Sequence, residues 1–217
     1  TVGADEPIDG VLTITATANG EAPYTGQRGT IQVKVRQATL YEITPGTTAT
    51  VSIDGIEWYC LVKDEEENKA LIWSKEPVGQ RQFNSSKSGN IWRDSELRAY
   101  LNGDWLESTT VLIEKAIETD ITTRSQYNAT DWITTQDRVF LLSEADLFGT
   151  FNRTATSNAQ DYTYGNSVIV PDVNMRKVNS TTNSWMRSPC VSTAYVGYLQ
   201  PDGAIYLTQN GGVTYVL

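Results

Sequence analysis

Residues 185–217 decide the fold class, and their sequence is WMRSPCVSTAYVGYLQPDGAIYLTQNGGVTYVL. Short apolar runs alternate there with the turn sequences Pro201-Asp202-Gly203 and Asn210-Gly211-Gly212. Tyr, Thr, Val and Ile are frequent strand residues, whereas Gly, Pro, Asp and Asn favour turns. The apolar runs predict three strands: Ala194–Val196, Ala204–Leu207 and Val213–Leu217. Short strands joined by tight turns indicate antiparallel sheet.

The same part of the chain has the composition of a binding surface. Residues 178–217 carry two charges, Arg187 and Asp202, and four tyrosines among Ser, Thr, Asn and Gly. Tyr offers a large, stiff contact area at small entropic cost, and Ser, Asn and Gly offer adaptable hydrogen bonds. Charged residues are scarce at interface cores because their desolvation is costly. Ordinary sheet strands explain the composition equally well, and one strand can serve both purposes on its two faces.

Upstream of this stretch the sequence predicts a β meander followed by short helices. Strands are expected at Thr50–Ile53, Glu57–Val62 and Ala70–Ser74, with a hairpin turn at Asp54-Gly55 and a solvated charged turn over 63–69. Asp94 or Ser95 is expected to cap a helix from Glu96 to Leu101, which Gly103 ends after Asn102. The remaining predicted elements are a helix at 111–117, a buried strand at 137–142, a helix at 144–148 capped by Ser143, and a long irregular loop over 150–183.

The first 46 residues predict a separate small β unit. Val11–Thr17 alternates in part between apolar and polar residues, and Ile31–Arg36 alternates cleanly. Asn19-Gly20 and Gly26–Gly29 supply turns between them. The Pro45-Gly46 turn marks a boundary, so units of 1–46 and 47–217 are expected. A unit this short is expected to pack on the rest or on a neighbouring subunit, which suggests attachment and a homo-oligomer.

Composition excludes several classes of chemistry. The chain has no histidine and a net charge of −9. Ser-His-Asp and Cys-His triads are therefore excluded, as are His-ligated zinc and haem sites. An acidic chain has no general attraction to nucleic acid or anionic lipid, and no apolar run reaches the length of about 18 residues that a membrane span needs. We therefore expect no nucleic-acid partner and no membrane insertion.

Four blocks in a fixed order resemble a large family of uncharacterised surface and phage proteins. The family's opening hairpin is similar to Ile56–Val62 with Ala70–Ser74, and its central Trp, Ser, Leu-Arg, Leu-Asn pattern is similar to residues 91–103. Its Asp-x-Val-Phe-Leu-Leu-Ser block matches residues 137–143, and its Trp-Leu-Arg-Ser-Pro block resembles Trp185–Pro189. The chain departs from the family at its end, where a Val-Arg-Pro-Ala-Leu-like stretch is common.

The resemblance implies an α+β fold of the C-type lectin type, with short antiparallel sheets, two to three short helices and long irregular loops. The family falls in the same broad group as formylglycine-generating enzymes. The group includes the variable proteins of diversity-generating retroelements, of which a phage tail-tip adhesin is the best-known type. Such proteins display diversified residues in a C-terminal region, which corresponds here to about residues 178–217. The ligand-binding residues that the resemblance implies are Cys190, Ser192, Thr193, Tyr195, Gly197, Tyr198, Tyr206, Thr208, Asn210 and Tyr215.

Sites for metals and cofactors find little support in the residues. Gln200-Pro201-Asp202 matches the sequence of a calcium-dependent sugar-binding motif. Because no Trp-Asn-Asp sequence accompanies it, these residues predict a turn instead. No metal and no cofactor are expected. Cys60 is expected to be a buried thiol, Cys190 lies in a predicted loop, and a disulfide between them stays open. Arg187 is expected to bond backbone carbonyls, with a ligand contact as the alternative.

The leading hypothesis is a non-enzymatic ligand- or receptor-binding protein whose C-terminal surface is diversified by a retroelement. Its partner would be a protein or glycan receptor, and its location a virion surface such as a tail tip, or an extracellular cell surface. One alternative is a structural or fixed-specificity surface domain of a larger envelope or virion protein. Another is an enzyme of the formylglycine-generating type, which metal content and the reactivity of Cys60 and Cys190 would distinguish.

Overall fold

The structure is a computed structural model that describes residues 11–17, 28–34, 39–86, 89–126, 131–148, 170, 172–177, 183–190, 192–203, 205–210 and 214–216. For the strands at 11–17, 28–34, 205–210 and 214–216 it describes the backbone alone. The chain divides into two compact units, Thr1–Glu42 and Ile43–Leu217. The division falls just ahead of the Pro45-Gly46 turn, and Ile43 is buried.

Short strands outnumber short helices in the described residues. The strands are β1 (Val11–Thr17), β2 (Arg28–Lys34), β3 (Thr50–Ile53), β4 (Ile56–Asp64), β5 (Lys69–Ser74), β6 (Gln80–Gln82), β7 (Thr119–Arg124), β8 (Trp132–Asp137), β9 (Ser184–Pro189), β10 (Tyr195–Leu199), β11 (Ile205–Asn210) and β12 (Thr214–Val216). The helices are α1 (Glu96–Tyr100), α2 (Leu112–Lys115), α3 (Glu144–Phe148) and α4 (Val173–Arg176), with a 3-10 turn at Trp92–Asp94 and a π-helical stretch at Leu101–Trp105. None of the helices in this part of the chain has the length and apolarity to span a bilayer.

The first unit contains one antiparallel pair, β1 with β2, in which Ile14 lies opposite Ile31. The predicted strand at Val11–Thr17 is confirmed. The second strand begins earlier than its alternating pattern indicates, at Arg28, so that Gly29 belongs to the strand rather than to a turn. The predicted turn at Asn19-Gly20 lies outside the described residues.

The second unit opens with the predicted meander, in the order β3-β4-β5. Its first turn has positive φ angles at both central residues, 53° at Asp54 and 75° at Gly55. Such a turn matches the twist of an antiparallel hairpin and favours Asp-Gly, which is why the sequence signal is reliable here. The charged turn between β4 and β5 is exposed at Glu65–Asn68, as expected.

A five-stranded sheet has the order β11-β10-β9-β12-β6. All its pairs are antiparallel except β12 with β9, where Val216 lies opposite Ser184. The separate pair β7–β8 was not predicted from the sequence. The described chain is thus a small α+β protein with short, mostly antiparallel sheets and few helices, which confirms the coarse fold class.

Two local predictions about the helices are confirmed. Ser95 caps α1 as expected, since its hydroxyl accepts a hydrogen bond from the Arg98 N–H at 3.0 Å. The prediction that Gly103 interrupts this helix after Asn102 is confirmed, because the π-helical range Leu101–Trp105 joins two helical stretches that meet at Gly103. Gly103 is a kink inside it, with φ −114° and ψ −110°. Burial of Trp105 and Leu106 holds the turn beyond the kink in place.

The predicted strand at residues 137–142 is wrong, although Asp137, Leu141 and Leu142 are buried. Strand β8 ends at Asp137, and the residues after it form no ladder. The side-chain oxygen of Asn102 accepts hydrogen bonds from the Arg138 and Val139 N–H groups at 2.9 and 3.1 Å. A distant side chain therefore satisfies backbone groups that a neighbouring strand would otherwise bond.

The core of the second unit brings together residues from distant parts of the sequence. Its members come from β4, β5, α3, α4, β9, β10 and the segments beside them: Tyr59, Leu61, Leu71, Leu142, Leu147, Val170, Met175, Met186, Cys190 and Leu199. Val170 and Met175 lie in the segment predicted to be an irregular loop, and α4 shows that part of it is helical. Most of that segment lies outside the described residues.

Candidate functional site

The candidate site is the end of the β9–β10 hairpin at residues 192–195, which we call the tip. The Tyr195 N–H donates a hydrogen bond to the Ser192 carbonyl at 2.9 Å, which closes a tight turn. Below the turn, the Cys190 N–H donates to the Tyr195 carbonyl at 3.3 Å. Backbone bonds thus give the tip a defined shape.

The tip presents uncharged polar and aromatic groups to solvent. Tyr195 is 36% exposed, Thr193 is exposed and Ser192 is half-buried. The two charges of the surrounding strands lie elsewhere, since Arg187 is buried in β9 and Asp202 lies in the turn after β10. A ligand that meets the tip would not have to desolvate a charged side chain there.

Three of the predicted contact residues are buried instead. Cys190 is 2% exposed and Tyr198 is 8% exposed, and Gly197 is also buried. Tyr198 lies opposite Trp185 on the neighbouring strand β9. The structure therefore separates the predicted residues of this hairpin into an exposed set at the tip and a buried set beneath it.

The remaining predicted residues lie on β11 and β12, where the backbone register places them. Asn210 lies opposite Tyr195 and Tyr206 opposite Tyr198, with Thr208 between them on β11. Tyr215 lies on β12, opposite Arg81 of β6. Strand β9 separates β12 from β10, and β12 meets β9 at Ser184, the end of that strand farthest from the tip. The register thus brings Asn210 next to the tip and leaves Tyr215 at the far end of the sheet.

Sequence reasoning missed the residue that ties the tip to the rest of the molecule. Asn90 is 2% exposed, and its side-chain NH₂ group donates to the carbonyls of Cys190 and Ser192, both at 3.0 Å. The local sequence Ser88-Gly89-Asn90 has the composition of a solvent-exposed turn. Its contact with the tip spans about 100 positions of sequence, so no local pattern signals it.

Beneath the tip, Arg187 has the structural role that the sequence favours. Its guanidinium donates to the Leu141 carbonyl and to the Asp146 carboxylate, each at 2.6 Å. Asp146 and Ser143 exchange hydrogen bonds across the first turn of α3, with the Ser143 N–H donating at 2.7 Å and the Asp146 N–H at 3.2 Å. This reciprocal cap is the predicted one, and through Arg187 it also joins α3 to β9.

The two cysteines are free and buried. Tyr59 and Leu61 belong to the core cluster around Cys190, and Cys60 lies between them on β4. Burial raises the pKa of both thiols, and the charge of Glu144 adds to the effect at Cys190. Among the side chains that the structure describes, no three metal-ligating groups come together.

Comparison with known proteins identifies a family that the chain matches. Residues 67–213 match a protein family described as a domain of unknown function, DUF6273. No curated protein and no solved structure matches the chain. The matched region covers more than half of the chain and includes the whole β9–β10 hairpin with its tip.

Proposed function

Because the chain belongs to the DUF6273 family, whose function is unknown, we propose from its own geometry that it is a non-enzymatic binding protein. Its ligand is a protein or glycan receptor, and the tip with strand β11 forms its contact surface. The scaffold is a C-type lectin fold, and a diversity-generating retroelement diversifies the surface. The protein acts on a virion surface, such as a tail tip, or on an extracellular cell surface.

The observation that carries this proposal is the exposure of Thr193 and Tyr195 on a tip whose backbone is fixed. Tyrosine contributes contact area with few rotatable bonds, so little conformational entropy is lost on binding. The hydrogen bonds of the tip reduce that loss further, because the loop does not have to be ordered by its ligand. The coarse architecture of short antiparallel sheets with few helices is compatible with a C-type lectin scaffold.

The burial of each side chain limits the positions at which diversification could act. A substitution at Cys190, Gly197 or Tyr198 changes the core, whereas a substitution at Thr193 or Tyr195 changes the surface. Core changes that alter volume destabilise the fold, and exposed positions tolerate most residues. A diversified surface on this scaffold should therefore vary at the tip and stay constant beneath it.

The first test is deep amplicon sequencing of the gene from its native population. We expect substitutions to concentrate in codons 192, 193 and 195 and in β11, with codons 190, 197 and 198 nearly constant. Uniformly low variation along residues 178–217 would reject diversification and favour a structural or fixed-specificity surface domain. Equal variation at buried and exposed codons would reject the tip as the contact surface.

A second test measures binding directly on arrays of glycans and of host-surface proteins. Tyr195→Ala and Thr193→Ala should each weaken the binding that the wild-type chain shows, without a change in Tm. Tyr41→Ala is the matched control, because it removes another exposed tyrosine ring, 84% exposed, from a part of the sequence outside the β9–β10 hairpin. Equal binding by Tyr195→Ala, Thr193→Ala and Tyr41→Ala would contradict a contact surface at the tip.

A further inference from the structure

Asn90 donates two hydrogen bonds from its side chain to backbone carbonyls. A carboxamide NH₂ group has two hydrogens to donate, and here one is directed at the Ser192 carbonyl of the tip and one at the Cys190 carbonyl beneath it. These two carbonyls lie two positions apart in the sequence, so the pair of bonds ties both Cys190 and Ser192 to one side chain. The Ser192 carbonyl is also the acceptor of the Tyr195 N–H that closes the turn.

The segment that carries Asn90 is itself held on both sides. Before it, the Asn84 side chain donates to the Gly89 carbonyl at 2.7 Å, and its oxygen accepts from the N–H of Glu96 at 2.9 Å. Gly89 has a φ of 84°, a conformation that glycine adopts without strain. After it, Trp92 is fully buried and donates its ring N–H to Asp137 at 2.8 Å. The backbone around Asn90 is therefore held in place, so its side chain can anchor the tip.

We propose that Asn90 is a positioning residue that holds the tip in the shape it presents to its ligand. The inference rests on the proposed function in taking the tip as the contact surface. Without the two bonds from Asn90, the Cys190 and Ser192 carbonyls lose their link to the segment around Trp92. The tip would then sample other conformations while the core beneath it stays folded, and a ligand would have to order the tip on binding.

The experiment compares Asn90→Asp with Asn102→Asp in the full chain by amide hydrogen exchange. The aspartate has the same shape as asparagine but no NH₂ group, so both donors are lost. Asn102 is a matched control, because its NH₂ group likewise donates to two carbonyls, those of Arg98 at 3.1 Å and Val139 at 2.8 Å. Neither of these carbonyls lies in the tip, and the measurement needs no ligand.

We expect Asn90→Asp to speed exchange of the Cys190 and Tyr195 amides by about tenfold or more, because two hydrogen bonds are lost and each contributes up to about tenfold. Exchange of the Trp58 and Cys60 amides in β4 should stay at the wild-type rate. Asn102→Asp should leave the ratio of tip to β4 exchange unchanged. Asn90→Ser, which keeps one donor on a shorter side chain, provides a milder variant if the aspartate prevents folding.

Two results would overturn the inference. If Asn90→Asp and Asn90→Ser speed exchange equally at the tip and in β4, Asn90 acts only on global stability. If neither variant changes exchange at the tip, the two hydrogen bonds do not hold it. Both results leave the codon-variation and array tests of the proposed function standing, so the two failures can be told apart.

Discussion

Arg187 shows how a buried charge shapes this molecule. Its side chain has no solvent exposure, and it donates to the Asp146 carboxylate at 2.6 Å. Desolvating both charges costs free energy that their attraction does little more than offset, so such a pair adds little stability by itself. The pair instead joins two elements, because Asp146 belongs to α3 and Arg187 to β9. The pair determines how the helix meets the strand beneath the tip.

Removing one partner of this pair should be severe. Arg187→Met keeps much of the apolar length of the side chain but leaves the Asp146 carboxylate buried without its opposite charge. We expect the free energy of unfolding to fall by about 3–5 kcal/mol in urea denaturation. Arg93→Met is the control, because it breaks an ion pair with Asp94 that is more than half exposed, and should hardly move the midpoint. Similar midpoints for both variants would contradict the structural role of Arg187.

Asp54 gives the stability of the second unit a dependence on pH. Its carboxylate accepts hydrogen bonds from the backbone N–H groups of Leu112, Val111 and Thr110. These bonds, that from Leu112 first, hold its pKa below the ordinary value of 3.8. The folded chain therefore binds this proton more weakly than the unfolded chain does. The stabilisation is complete above the unfolded pKa and is lost as the pH falls through the folded pKa.

Asp54→Asn should expose this contribution. Asparagine tolerates the positive φ of the turn, but it is uncharged and cannot replace the carboxylate facing three N–H groups. We expect a lower Tm than wild type at pH 7, with the gap closing as the pH is lowered below 3.8. Glu66→Gln removes one negative charge from the exposed turn between β4 and β5 and serves as the control for a change in net charge. A gap for Asp54→Asn that stays constant with pH would contradict the linkage.

At the scale of the element, strand β10 combines a scaffold and a contact surface. Tyr195, at its first position, is 36% exposed, whereas Tyr198 is 8% exposed and lies opposite Trp185. The register of β10 shifts between Val196 and Tyr198 on both of its neighbours. Such irregularities change which way side chains point, and here the irregular stretch separates an exposed tyrosine from a buried one.

The two tyrosines should respond differently to truncation. Tyr198→Ala removes a buried ring, and we expect a loss of about 3–5 kcal/mol in the free energy of unfolding. Tyr195→Ala removes a side chain at the surface and should change the free energy of unfolding by no more than about 0.5 kcal/mol. Urea denaturation of the two variants side by side decides the matter. Equal losses would mean that both rings belong to the core and that the tip offers no aromatic contact.

Structural features that depend on residues close together in the sequence could be predicted. The Asp54-Gly55 turn, the Ser95 cap and the Ser143–Asp146 cap each depend on residues within a few positions of one another. The coarse α+β class was implied by the resemblance to the family of surface and phage proteins. The composition of residues 178–217 also directed attention to the tip, although it did not separate Tyr195 from Tyr198, because tyrosine suits both an interface and a strand.

Structural features that depend on contacts between residues far apart in the sequence could not be predicted. The segment after β8 is apolar enough for a buried strand, but Asn102, more than 30 positions earlier, bonds its N–H groups and prevents a ladder. Asn90 is a buried anchor because it meets two carbonyls about 100 positions away. In both cases an asparagine replaces a neighbouring strand as the partner of backbone groups, and nothing in the flanking residues distinguishes it from an asparagine in a turn.

At the scale of the whole molecule, the second unit is defined by its core and by the segment at its N-terminal end. The second unit has a core drawn from residues between Tyr59 and Leu199, so it cannot be divided further without opening that core. Its N-terminal limit is set by Ile43, which is 5% exposed. The Gly46 N–H also donates to the Cys60 carbonyl at 2.8 Å and attaches this entering segment to β4. The residues around the Pro45-Gly46 turn are therefore part of the second unit rather than a linker.

Two truncated chains test where the second unit begins. A chain of residues 43–217 should unfold cooperatively with the stability that the same unit has in the full chain, because it keeps Ile43 and the Gly46 bond. A chain of residues 47–217 loses both, and burial of one Ile side chain contributes about 2 kcal/mol. Thermal and urea denaturation should therefore rank 47–217 below 43–217. Ile43→Ala in the full chain separates the effect of this side chain from that of truncation, and equal stability of the two fragments would place the boundary at the Pro45-Gly46 turn.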